Sequence, residues 1–357
     1  MHAKSFTKAR VPYRTFAPLV DGLKQQGLLE HVDGHEVSSE AGDTGRFAAR
    51  FRATPTFLSF CSERAVDPAK VFDHFEFEYD LPKAVLELRA KKEGDYWVKT
   101  KPVGKPMDFE RDGVTNAIED HVRELNEFFA QQRLRGGSHH GYVRLFHNGD
   151  NPHFFWNMGG RLYSQHFTDS YQVMSAEKRL KMTINGQPVA EIDLRASYLT
   201  IFLSMHGIQL PEGDPYSLPG LGPEHRNAVK QWMVATFGNS KPIVRWPKRM
   251  VQKFPELSDH RVSTITKAAL AKYPALSAWG QPLRNRTHNW ADLMWIESNV
   301  IQSTMLELKR AHEIPSLSVH DSLIVPAQSA EIVSAVLKEK FQSQREVTPL
   351  LKINWPV

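Results

Sequence analysis

Two short apolar runs each enclose an aspartate, and no other feature constrains this chain as much. Val189 to Leu194 reads as a strand around Asp193, entered through the turn Asn185–Gly186. Leu317 to Val325 reads as a second strand, presenting His320 and Asp321 between Val319 and Leu323. A carboxylate in a buried strand is costly unless its charge is compensated. Two such carboxylates suggest a shared cation. Hard divalent ions such as magnesium take carboxylate oxygens, and two ions about 3.5–4 Å apart can clamp the attacking and leaving oxygens of a phosphoryl transfer. By itself the pair is a weak sign, because a lone strand aspartate is more often a turn or edge residue.

The segment between the two runs adds to it. A helix is expected from His225 to Gly238, with Pro223 near its start, and Arg226, Lys230 and Phe237 fall on one face of it. Two cations followed by an aromatic ring suit a triphosphate and a stacked base. An ordinary surface helix with two basic residues and a core phenylalanine is the plain alternative.

In this order, Glu191-Ile192-Asp193, Arg226 with Lys230 and Phe237-Gly238, and Val319-His320-Asp321-Ser322 resemble motifs A, B and C of the single-subunit right-hand polymerases. That superfamily holds the family A DNA polymerases and the phage-type RNA polymerases. The resemblance spans about residues 159 to 326, and the His-Asp pair of motif C is its most specific part. Gly160-Arg161-Leu162-Tyr163 and Gly213-Asp214-Pro215-Tyr216 are looser similarities.

The resemblance implies an α+β right-hand polymerase with palm, fingers and a small thumb. It implies that Asp193 and Asp321 hold two magnesium ions, with manganese as a substitute, helped by the backbone carbonyl of Leu194. Arg226 would hold the terminal phosphates, and Lys230 the α-phosphate, also serving as general acid toward pyrophosphate. Phe237 would pack at the nascent base pair and His320 would position the primer end. The helix Trp295 to Ala311, with Glu297, Ser298 and Gln302, would touch template and primer. One departure stands out: Phe237 follows Lys230 by seven residues, where the family usually has eight.

Sugar choice turns on Tyr198, five residues after Asp193. Family A DNA polymerases carry a bulky residue there against a ribose 2′-hydroxyl. Phe237, lacking a tyrosine hydroxyl, also points to deoxynucleotides, whereas Ser322 and Ala311-His312-Glu313-Ile314 are closer to the RNA polymerase branch.

The amino-terminal part offers a helix through Phe16, Leu19, Val20 and Leu23, ended by Gly27. Leu28 to Val32 and Arg46 to Ala53 then read as a hairpin around a turn-rich loop, His35 to Gly45, with Arg46, Arg50 and Arg52 on one face. Helix plus basic hairpin is the pattern of a winged helix that touches DNA phosphates; an edge hairpin with a solvated charged face fits equally. Short strands are expected at Val85 to Arg89 and Tyr96 to Lys99, and an amphipathic helix at Val114 to Arg133 is the thumb candidate. His139 and His140 read as surface residues. Lys241, Arg245, Lys248, Arg249 and Lys253 surround Trp246 in a basic run suited to a phosphate backbone or simply to solvent.

The expected division is therefore a winged-helix-like domain over 1–75, a connecting and thumb-like region over 76–158, and a palm over 159–357 with a fingers insertion at about 210–286. A proofreading exonuclease does not fit in that length. A net charge of +5 and a pI of about 9.1 are mild. The single cysteine, Cys61, excludes an internal disulfide or a cysteine zinc site. Without a bilayer-length apolar run or a secretory leader, a cytoplasmic location with no membrane partner is expected. The expected partners are DNA template and primer and nucleoside triphosphates. The alternatives are an RNA polymerase or primase of the same fold and a non-catalytic winged-helix DNA-binding protein. No P-loop signature is present.

Overall fold

The structure, a computed structural model, describes residues 12–38, 44–70, 74–75, 80–91, 104–165, 170–239 and 241–356. The chain divides into two compact units, Met1–Asp80 and Leu81–Val357.

In the first unit, α1 (Tyr13–Gln25) buries Val20 and ends at Gly27, whose φ of +66° lets Leu28 N–H return to the Leu23 carbonyl at 2.9 Å. A hairpin follows, made of β1 (Leu29–Val32), β2 (His35–Ser38), β3 (Thr44–Phe47) and β4 (Arg50–Ala53). Its register runs unbroken from Leu29 opposite Ala53, through Val32 opposite Arg50 and His35 opposite Phe47, to Ser38 opposite Thr44. Of the loop expected at His35 to Gly45, His35–Ser38, Thr44 and Gly45 are paired strand and the rest lies outside the described residues. Cross-strand pairing satisfies the backbone groups of these paired residues.

Phe51 stacks on His31 at 4.7 Å and meets the edge of Phe16, so the hairpin leans on α1. Arg52 forms an ion pair with Glu30 directly opposite, leaving Arg50 as the exposed, unpaired arginine among the described ones. The side chain of Arg46 lies outside the described ones. Thr54 then caps α2 (Pro55–Ser62), accepting from Phe57 N–H at 3.2 Å.

The second unit is α+β and begins with β5 (Leu86–Arg89), β6 (Pro106–Met107), α3 (Gly113–Ala130), β7 (Leu134–Arg135), β8 (Tyr142–Phe146) and β9 (Gly159–Ser164). Next come β10 (Thr183–Ile184), β11 (Gln187–Leu194), α4 (Ser197–Met205), α5 (Arg226–Gly238) and α6 (Val262–Lys272). The hairpin β12 (Pro282–Leu283) with β13 (Arg286–Thr287) leads into α7 (Trp290–His312), and β14 (Leu317–Val319), β15 (Ser322–Pro326), α8 (Ala330–Arg345) and β16 (Leu351–Asn354) close the chain. One sheet has the order β6-β5-β8-β9; the other runs β14-β15-β11-β10-β7, with β16 also paired to β11. The strand expected at Tyr96 to Lys99 lies outside the described residues.

Helix α7 is the spine of this unit and packs on β9, α4, α8 and α3. Asn289 begins it with a capping box, and Glu313 ends it at a φ of +54°, after Lys309, Arg310 and His312 in a last turn that favours cations. The helix expected as a thumb, α3, is built into the body. Val122, Leu125 and Phe129 are buried, and Asn126 exchanges two hydrogen bonds with the Tyr142 backbone, at 3.0 and 2.6 Å. His139 and His140 are packed as well. His139 is 2.9 Å from Ser164 Oγ and 4.3 Å ring to ring from Tyr142, and burial pushes its pKa down to about 3. Polarity suggested surface, but the Gly-rich segment carries both rings inward. Among the described residues no helix is long and apolar enough to cross a membrane.

Glu124 ties α3 to α7, accepting from Arg310 at 2.9 and 2.6 Å and from Lys309 at 2.8 Å. The Arg310 hydrogen bonds lead in holding its pKa down at about 2. A carboxyl lowered on folding adds stability above its unfolded value, here 4.5, and loses it as pH falls toward about 2. Glu124→Gln is therefore expected to cost about 1 kcal/mol at pH 7, discounted for the half-exposed Arg310. Urea unfolding should show that difference shrinking below about pH 4; a pH-independent difference would refute the electrostatic origin.

Candidate active site

Strand β11 sits between β15 and β16, so Asp193 lies opposite Ser322 on one side and Lys352 on the other. The second aspartate is not inside a strand as expected. Leu317 to Pro326 folds back on itself, and His320 and Asp321 form the two-residue loop between β14 and β15. His320 has a φ of +56°, a left-handed conformation histidine tolerates better than most residues. Leu194 N–H donates to the Asp321 carbonyl at 3.1 Å, which ties the loop to β11.

Neither Asp193 nor Asp321 has an ion pair or a side-chain hydrogen-bond partner among the described residues. Their surroundings resist the negative charge. Loss of hydration and then Glu191 push Asp193 up to about 6, against the pull of Lys230 and Lys352. Burial, then Glu297 and Asp193, push Asp321 well above the carboxylate range, against Arg161. Two hard oxygen donors without a direct ion-pair partner among the described residues are a donor set that suits divalent metal.

Among the described residues no three His, Cys, Asp or Glu side chains converge into a ready-made metal cage. The expected set, two carboxylates plus the Leu194 carbonyl, is smaller than that, and magnesium commonly completes its shell with water and substrate phosphates.

Around this pair lies a buried polar cluster; it holds Glu297, expected to touch template and primer, and Arg161, to which the sequence reading assigned no role. Arg161 on β9 forms an ion pair with Glu297 on α7, its Nε donating at 2.9 Å. Glu297 is 1% exposed and also accepts from Ser197 Oγ at 2.7 Å. Arg161 is 3.4 Å from Tyr198 Oη. The neighbouring acid Glu191 is already satisfied, by a two-pronged contact from Arg179 at 3.1 and 2.7 Å and by Ser322 Oγ at 2.7 Å. Only sequence position relative to the aspartates hinted at Arg161, and spacing alone does not show that Glu297 reaches it.

Helix α5 presents Arg226 and Lys230 to solvent one turn apart. Lys230 is free of ion pairs among the described residues, and its charge acts on Asp193. Arg226 is held by Asp214, at 2.5 and 3.1 Å, with Arg195 3.5 Å from the same carboxylate. The Arg226 guanidinium lies 5.4 Å from the Tyr216 ring centre. Phe237 does not share their exposure. It is 2% exposed, packed edge-on to Trp279 at 5.2 Å and tilted against Phe202 at 5.8 Å, and reaches the site through Tyr198 at 6.4 Å. The 3.6-residue period puts it near the right face, but the apolar cluster at the end of α5 draws it inward.

His320 is exposed, and lost hydration followed by the Arg161 and Arg179 charges holds its imidazole below the usual range. It shares a small cleft with Arg161, Ser298, Ser318 and Gln302. Gln302 is 4% exposed, and its amide Nε2 has no hydrogen-bond partner among the described residues. Lys241, Arg245 and Lys248 are exposed on the insertion, while the Trp246 N–H is taken by the His260 carbonyl at 2.7 Å, which makes that ring a structural one.

No family model matches the chain, and no curated protein matches it.

The raised aspartates give a test of cation binding that does not depend on turnover. An acid whose pKa rises on folding stabilises the fold at low pH and loses that contribution as pH climbs, for Asp193 between about 4 and about 6. Without metal, the wild type is expected to lose about 2 kcal/mol relative to Asp193→Asn across that window. Magnesium above pH 7 should restore it. Thermal melts in chelator and in magnesium check this; equal magnesium effects in both proteins would rule out Asp193 as a ligand.

Proposed function

We propose that this chain is a template-directed DNA polymerase, joining deoxynucleotides to a primer 3′-hydroxyl. The observation that carries this reading is the pair Asp193 on β11 and Asp321 on the adjoining β14–β15 turn, without ion pairs and destabilised, with Lys230 of α5 close enough to act on Asp193. Bound at the two aspartates and the Leu194 carbonyl, two magnesium ions would supply Lewis-acid stabilisation of the attacking and leaving oxygens.

The chain's own residues do the rest. The 3′-hydroxyl oxygen forms a bond to the α-phosphorus as the bond to pyrophosphate breaks; the hydroxyl proton leaves to solvent water, and Lys230 gives a proton to the departing pyrophosphate oxygen. Arg226 exchanges Asp214 for the terminal phosphates, an interaction suited to its planar fork. Tyr198, beside Arg161 and against Phe237, stands where bulk excludes a 2′-hydroxyl. His320 and Gln302 line the cleft suited to the primer end. Arg50, with Arg52 and Arg46 on the same hairpin, and Lys241, Arg245 and Lys248 on the insertion are the proposed DNA contacts.

Extension of a labelled primer on a DNA template, with dNTPs and with rNTPs in parallel, tests this. Extension with dNTPs and at least about tenfold discrimination against rNTPs is expected, as a clash worth about 1.4 kcal/mol would give. Extension with rNTPs alone would instead make the chain an RNA polymerase or primase, and none with either would leave a DNA-binding protein.

A further inference from the structure

A second cavity opens between the β12–β13 hairpin, the start of α7 and the end of α8, with a volume of about 610 Å³. Three arginines line it, Arg284, Arg286 and Arg345, together with His288. The acids present are Asp292, which is already engaged by Arg286 and by the Asn289 N–H at 2.8 Å, and the exposed Glu346. Arg284 stands on the hairpin turn at a φ of +52°, exposed and without an ion pair among the described residues. Arg345 is tied only through Nε, to Ser204 Oγ at 3.0 Å. The buried atoms His288 Nδ1 and Arg286 Nε have no hydrogen-bond partner among the described residues. Burial and the mutual repulsion of these groups lower the pKa of Arg345 and His288. Guanidinium groups gathered with too few counter-charges suit a phosphate oxyanion, which their fork binds two bonds at a time.

We propose that this cavity binds the phosphodiester backbone of a single-stranded template segment about two to three nucleotides from the reacting end. The proposal rests on the polymerase reading. Two helices set the distance. Along α4, Tyr198 lies at the aspartate site and Ser204 at the cavity wall; along α7, Glu297 and Asp292 do the same. At ~1.5 Å per residue those spans are roughly 7–9 Å, and a strand advances ~3.4 Å per nucleotide. Trp295, half-buried in the wall, offers a face for a base of that strand. A free triphosphate is the other source of such an anion, and the probes below separate the two.

The test uses the full chain with the variant Arg284→Asn, whose asparagine accepts the positive φ, and the double variant with Arg345→Gln. Fluorescence anisotropy compares a blunt DNA duplex with one carrying a six-nucleotide template overhang over a series of salt concentrations. The overhang probe should bind the double variant about tenfold more weakly, with a salt slope reduced by about 0.7 per lost phosphate contact, and the blunt probe should bind unchanged. Arg284→Asn alone should show about half the slope change. Equal losses on both probes, no loss on either, or displacement of the overhang by stoichiometric inorganic tripolyphosphate would each overturn the proposal. Because binding is read without catalysis, a wild type that fails to extend primers yet shows the overhang effect refutes the polymerase reading and keeps the cavity's ligand.

Discussion

Asp321→Asn is expected to reduce primer extension by at least about a thousandfold, the equivalent of roughly 4 kcal/mol of lost transition-state stabilisation. The substitution keeps the shape of the side chain and removes the charge. Since that charge is disfavoured by Glu297 and Asp193 around it, the variant should melt at a higher temperature than the metal-free wild type. Lower activity with higher stability is a combination that damage to the fold does not produce. Activity retained within tenfold would remove Asp321 from the catalytic centre.

The second large effect concerns the pair beneath that centre. Arg161 and Glu297 are both largely buried, at side-chain exposures of 17% and 1%. Breaking a buried ion pair from one side leaves the other charge stranded, so Glu297→Gln should cost about 3 kcal/mol. Arg161→Met in the same chain should return much of it, because the stranded charge goes too. Chemical denaturation of the two single variants and the double one gives the coupling directly. Simple additivity would show that the pair does not hold β9 to α7.

How much of this could be read in the sequence differed from element to element, for physical reasons. Strand β11 and helix α3 declared themselves through apolar patterning, α5 through Pro223, Gly238 and the shared face of its cations, α7 only through the resemblance, and Asp193 and Asp321 through the misfit of a carboxylate among apolar neighbours. The two-residue turn at His320 did not, because its flanks, Leu317 to Val319 and Ser322 to Val325, are mostly apolar and contain no glycine, proline or asparagine. At the ends of the loop expected over His35 to Gly45 the opposite happened, since Ser38, Thr44 and Gly45 read as turn residues but lie in a paired ladder. Arg161 escaped a role because its partner Glu297 is 136 residues away in sequence, and Glu297, read as a template and primer contact, is buried in that pairing. Phe237 was placed correctly on its helix, yet its surroundings, Phe202 and Trp279, come from other segments.

The anchoring of β11 between two strands has a further consequence. Asp193 is fixed by the ladder to β15 and β16, and Asp321 by the main-chain bond from Leu194 to its own carbonyl. The backbone positions from which the two carboxylates project are thus held by main-chain hydrogen bonds. The sheet acts as a ruler, and exchanging a side chain at either end changes what the site holds without changing the spacing at which it is held.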